Sequence, residues 1–196
     1  FIMINDILIT GVGGQGTVLA SRLIAAAALE KGYFTRTAET IGMAQRGGSV
    51  VSHVRIDSKN KNSLIFDKMA DSIIAFEPCE AVRCLVKLKD RGKIIVNLNP
   101  IVPVVSTLGG TEYNLENIIN IIKEKQSDAI FIDGNDIAKK AGNEKAVNVV
   151  LLGVALKQGL INFEYEFFEK IIEKNVPEKF KQLNLRALKM GFNATV

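Results

Sequence analysis

Two glycine clusters hold the residues whose types and spacing could do chemistry. The first, Gly11-Val12-Gly13-Gly14-Gln15-Gly16, follows an apolar run and precedes a helical one, so Gly11, Gly13 and Gly16 meet the G-x-G-x-x-G pattern in its required context. In such a turn the first glycine permits the bend and the second clears backbone for a phosphate. The third lets the helix lie close on the strand. The first N–H groups of the helix then attract an anion. An acid about twenty residues further on would hold a ribose hydroxyl, and Glu39 stands at roughly that distance. Gln15 is longer and more polar than many such turns carry. The second cluster is Ala44-Gln45-Arg46-Gly47-Gly48. The Arg46 guanidinium offers a planar fork of donors for a carboxylate or phosphate, and Gly47 and Gly48 clear space for another molecule. Two readings stay open for it. The loop contacts an anionic ligand or the rim of a partner's active site, or it is a turn in which Arg46 pairs with a local carboxylate such as Glu39.

Other reactive side chains are few. Cys79 and Cys84 are five apart on one expected helix, so they diverge by about 140° and neither pair nor share a metal easily. There is no CxxC, and His53 is the only histidine, in a strand-like run. No iron–sulfur or zinc site is expected in this chain, and His53 is read as a packed strand residue. Asn97 and Asn148, beside apolar runs, are read as structural hydrogen-bonders.

The elements that must position these residues follow from periodicity. Residues 7–10 form a buried-type strand, and 17–31 an almost entirely apolar helix closed by Gly32. So apolar a helix needs cover on most sides, from the sheet alone or from the sheet and a partner subunit. Strands are expected at 34–38, 49–56, 72–76, 93–97 and 129–132, with an irregular segment at 39–48 and a short extended piece at 102–106. Pro78 starts a helix running to Leu88. Further helices are expected at 115–122, 136–141, 145–158, 165–174 and 178–190. Alternating strands and helices give an α/β fold: a Rossmann-like, mostly parallel sheet flanked by helices, with a helical C-terminal extension from about residue 133. Residues 1–196 are expected to make one domain.

Composition supports this. Hydrophobic residues make up 47% of 196 residues and mean hydropathy is +0.17, as suits strands buried on both faces. No apolar run reaches the roughly eighteen residues of a membrane span, and residues 1–6 lack the flank and cleavage site of a signal peptide, so a cytoplasmic protein is expected. The net charge of +4 is spread among acids rather than concentrated in basic blocks. That favours a solvated surface over nucleic-acid binding, with docking of an acidic partner protein left open.

Taken together, Ile7 to Gly16, Ala38 to Val50 and Ser52-His53-Val54-Arg55 closely resemble the gamma-type subunit of 2-oxoacid:ferredoxin oxidoreductases. Phe76-Glu77-Pro78, Glu80-Ala81-Val82-Arg83, Ile95-Val96-Asn97 and Asn148-Val149-Val150-Leu151-Leu152-Gly153 extend the likeness over most of the chain. A chain of this length is most similar to the small subunit of the indolepyruvate-type enzymes. The resemblance implies an accessory subunit of a complex that oxidatively decarboxylates a 2-oxo acid with coenzyme A. The products are an acyl-CoA, carbon dioxide and reduced ferredoxin. It also implies that thiamine diphosphate, magnesium and iron–sulfur clusters lie on a large, alpha-type partner, with ferredoxin met through the complex. Gly11, Gly13, Gly14, Gln15, Gly16, Glu39, Gln45, Arg46, Gly47 and Gly48 become candidates for ligand or partner contact, none of them catalytic. The isolated chain could pair as a homodimer. The residues alone also permit a free-standing NAD(P)- or FAD-binding reductase, or a nucleotide-binding module without enzymatic activity.

Overall fold

The computed structural model describes residues 5–42, 47–57, 62–102 and 113–196. Gln45 and Arg46, and residues 103–106 of the extended piece expected at 102–106, lie outside them. Six strands form one sheet in the order β2-β3-β1-β4-β5-β6: β1 Asn5–Val12, β2 Thr35–Ile41, β3 Ser49–Ile56, β4 Ala70–Ala75, β5 Leu88–Asn97 and β6 Ile130–Ile132. β1, β4, β5 and β6 are parallel neighbours. β3 runs antiparallel to both β1 and β2. Five strands therefore share one direction and the sheet is mostly parallel, as expected, but a reversed strand stands beside β1.

Alternation along β1 builds two cores. Ile7 and Ile9 face α1 (Thr17–Glu30), α4 (Gly134–Ala141), α5 (Val147–Lys157), α6 (Tyr165–Asn175) and α7 (Glu178–Phe192). Leu8 faces α2 (Pro78–Cys84) and α3 (Leu115–Lys125). The chain beyond β6 is helical, as expected, and its helices pack into the core. All residues from Val147 to Leu156 are buried, and α5 shares one apolar cluster with α1 and β1. A helix apolar on every side needs such complete cover. α5 also crosses α7 with almost no room. A Cβ on Gly153 would lie 2.3 Å from the Leu188 carbonyl, and one on Gly191 2.1 Å from the Val150 carbonyl.

Several expected boundaries shift, three of them for a visible reason. Glu39 belongs to β2 rather than to an irregular segment, because β3 supplies a partner as far as Ile41. The helix at Pro78 stops at Cys84, and a 3-10 turn at Leu85–Lys87 leads into β5 at Leu88. Asp133 caps α4 by accepting from the Asp136 N–H (2.9 Å), which starts that helix two residues early. Among the described residues no helix is long and apolar enough to cross a membrane.

Candidate functional site

The carboxyl ends of β1, β4 and β5 form one rim of the sheet, and both glycine clusters reach it. The Gly13 N–H donates to the Gly48 carbonyl (2.9 Å), so the two clusters touch. Gly14 (φ +103°) and Gly47 (φ +77°) adopt backbone that suits glycine, and a Cβ on either would meet open space. Gly16 shares that backbone (φ +85°), but it and Gly11 are glycine for a further reason. A Cβ on Gly11 would lie 2.6 Å from Gln15 Oε1 and 2.9 Å from Phe76 Cβ, and one on Gly16 2.6 Å from Asn148 Nδ2. These two glycines make room for the protein's own side chains.

Gln15 is the centre of the turn. Its Oε1 accepts from the Val12 N–H (2.7 Å), and its Nε2 donates to the Phe76 carbonyl at the end of β4 (3.0 Å). The same carbonyl accepts from Asn97 Nδ2 (3.1 Å), which also reaches Asn135 Oδ1 (3.0 Å). Asn97 Oδ1 accepts from the Gly134 N–H (2.9 Å) at the start of α4. A row of amides thus ties four strand or helix ends together across the rim. Outside it lies a shallow crevice of about 200 Å³, lined by Gly14, Gln15, Asn99, Asn135 and Lys145 among others.

Glu39 is not brought to this rim as a ribose-binding acid. It sits exposed on the edge strand opposite Ser52, with β3 between it and β1. In a dinucleotide site the strand carrying that acid lies directly beside β1. The Gly13 N–H, which would face a phosphate, is already committed to Gly48.

A group that the spacing did not single out adjoins the rim. Glu77 (1% exposed) caps α2 by accepting from the Glu80 N–H (3.0 Å), and also accepts from the Tyr113 hydroxyl (2.5 Å) and the Ile101 N–H (3.4 Å). Glu80 accepts from Ser49 Oγ (2.6 Å), next to Gly48, and pairs with Arg83 (2.5 Å). Burial and then Glu77 push the Tyr113 hydroxyl far above its ordinary pKa, so it stays a donor. The sequence does carry a signal: an acid before Pro78 and another at the third helical position mark a helix start.

The remaining reactive side chains are structural. His53 Nδ1 accepts from the Ile65 N–H (3.0 Å). Burial, then Lys87 and Arg55, lower its pKa to about 4, which keeps it neutral at pH 7. Cys84 Sγ reaches Thr10 Oγ1 (3.4 Å), and burial raises the pKa of both Cys79 and Cys84. Among the described residues no three His, Cys, Asp or Glu side chains converge as metal ligands.

A family model described as "Pyruvate ferredoxin/flavodoxin oxidoreductase" matches residues 6–194. The "Indolepyruvate oxidoreductase subunit IorB" of Archaeoglobus fulgidus is 40% identical over 192 residues, covering 97% of this chain and 95% of that one. The "Pyruvate/ketoisovalerate oxidoreductases common subunit gamma" of Thermococcus kodakarensis is 27% identical, covering 97% of each. The crystal structure of the keto/oxoacid ferredoxin oxidoreductase gamma subunit from Geobacter sulfurreducens superposes with a TM-score of 0.68 at 26% identity, over 96% of both chains. The chain belongs to the pyruvate ferredoxin/flavodoxin oxidoreductase family.

Proposed function

We propose that this chain is the small, gamma-type subunit of an indolepyruvate-type 2-oxoacid:ferredoxin oxidoreductase. It completes the assembly around a large subunit that binds thiamine diphosphate, magnesium and iron–sulfur clusters. The observation that carries this reading is the 40% identity, end to end, to an indolepyruvate oxidoreductase subunit. The complex would convert an aryl 2-oxo acid and coenzyme A to an acyl-CoA and carbon dioxide, passing two electrons to ferredoxin in the cytoplasm. Thiamine diphosphate supplies the carbanion stabilisation for decarboxylation, and no group of this chain is assigned a chemical step.

The glycine rim is the proposed contact with the large subunit. Gly14 and Gly47 leave backbone open to an approaching surface, and Ile101, exposed like Leu19, Ile41 and Val102, lines the crevice beside Gly14. Contiguous exposed apolar residues mark protein contacts more often than phosphate sites. Gln45 and Arg46 are likewise proposed as contacts with the large subunit.

The test is co-expression with the large subunit, purification of the complex and assay across 2-oxo acids. Ferredoxin reduction with aryl pyruvates is expected from the complex, and none from the isolated chain. Saturable thermal stabilisation of the isolated chain by NAD(P) or FAD would instead establish a free-standing nucleotide-binding protein.

A further inference from the structure

At the amino-terminal end of the sheet, opposite the glycine rim, two cavities of about 450 and 420 Å³ run together, sharing Asp90, Lys125 and Gln126. One end has an apolar floor of Val82, Leu85, Val86 and Leu88. Val86 is 53% exposed, and Phe66, also exposed, lies on a loop held to it by the Lys68 N–H donating to the Val86 carbonyl (3.0 Å). Five cations line the cleft, Lys68, Lys89, Arg91, Lys93 and Lys125. They face Asp90 and Asp128, while Asp71 reaches Lys89 from the side. The surplus of two positive charges is half of the chain's net +4.

Local pairing does not use up these cations. Lys68 pairs with Asp90 and Lys89 with Asp71, and Lys93 Nζ donates to the Gln158 carbonyl (2.8 Å). Among the described residues neither Arg91 nor Lys125 forms a salt bridge. Lys125 sits in the last turn of α3, where it complements the helix dipole. Arg91 and Lys93 lie on a strand and have no such role.

We propose that this cleft docks an acidic polypeptide segment of the large subunit. An aliphatic or aromatic anchor of that segment seats on Val82, Val86 and Leu88, and its carboxylates reach Arg91, Lys93 and Lys125. The proposal rests on the subunit reading above and gives the assembly a second contact, remote from the glycine rim. An apolar anchor beside a cationic stripe selects a protein segment over a bare polyanion, because the floor gains only from an apolar side chain.

The test measures association of the chain with the co-expressed large subunit at about 50 and 300 mM salt. The Arg91→Glu/Lys125→Glu double variant should stay folded, with a Tm lowered by at most about 4 °C, since both side chains are exposed and only Lys125 meets a helix dipole. It should bind about tenfold more weakly at low salt and lose most of the salt dependence. Val86→Asp should weaken binding at both salt concentrations. Wild-type affinity and salt slope in both variants overturn the cleft. If the wild-type chain does not associate at all, the subunit reading falls, and the cleft proposal with it. If association responds to Ile41→Lys at the rim but to neither cleft variant, the cleft proposal alone falls. A single-stranded oligonucleotide bound by the wild type and released by the double variant, with assembly unchanged, also overturns it.

Discussion

Gln15 does with one amide what a bound pyrophosphate would do in a nucleotide-binding turn. It satisfies the Val12 N–H and reaches the end of β4. Gln15→Ala removes both bonds and strands a part-buried donor, so about 1–3 kcal/mol of stability should be lost in urea unfolding. Phe76 keeps its bond from Asn97, which holds the loss near the lower end. His53 makes a second prediction. Its folded pKa is about 4 against 6.5 when free, so the unfolded chain takes up a proton first as pH falls. The contribution is complete above pH 6.5 and is lost progressively toward pH 4, at about 1.4 kcal/mol per pH unit. In His53→Asn the amide oxygen can still accept from Ile65 while nothing titrates. The stability gap between wild type and variant should narrow by about 2 kcal/mol between pH 7 and pH 5. An unchanged gap would mean that His53 is solvated in the folded chain.

At the scale of elements, the crossing of α5 and α7 is the least forgiving feature. A methyl group at Gly191 would stand 2.1 Å from a backbone carbonyl that cannot move without its helix. Gly191→Ala should cost about 3 kcal/mol or more, read as a lower Tm with helix content retained at low temperature. A fall of under 1 kcal/mol would show that the helices separate freely. The sequence shows where α5 and α7 lie, because apolar spacing marks helices, but not that they meet at glycine, since spacing records a face and not a neighbour. The same limit hides the direction of β3. Ser49–Ile56 is legible as a strand from its alternation, which is identical whichever way the strand runs. With β3 reversed beside β1, Glu39 lands two strands from the turn it was expected to serve. The glycine turn itself is legible, and so is the helix start at Pro78. What Gln15 and Glu77 reach across the fold is not, because Phe76 and Tyr113 lie 61 and 36 residues away in the chain.

Across the whole molecule, the two ends of the sheet differ in a way that bears on assembly. Among the described residues the carboxyl end ties Gln15, Asn97 and Glu77 to internal partners, leaving glycine backbone and exposed Ile101 outward beside Asn99 and Lys145. Ile41, 59% exposed on the α1 face of the edge strand, is the side chain that best separates docking from folding. Ile41→Lys should leave the Tm of the isolated chain within about 2 °C, because a surface substitution shifts stability by about 0.5 kcal/mol at most. In the complex the same lysine would be buried opposite an apolar surface. Affinity for the large subunit should then fall about tenfold or more, and ferredoxin-reducing activity at limiting subunit concentration should fall in proportion. Activity that saturates to the wild-type value when the variant is added in excess would place Ile41 in assembly rather than chemistry. A reduced plateau would instead tie this edge of the sheet to the reaction itself.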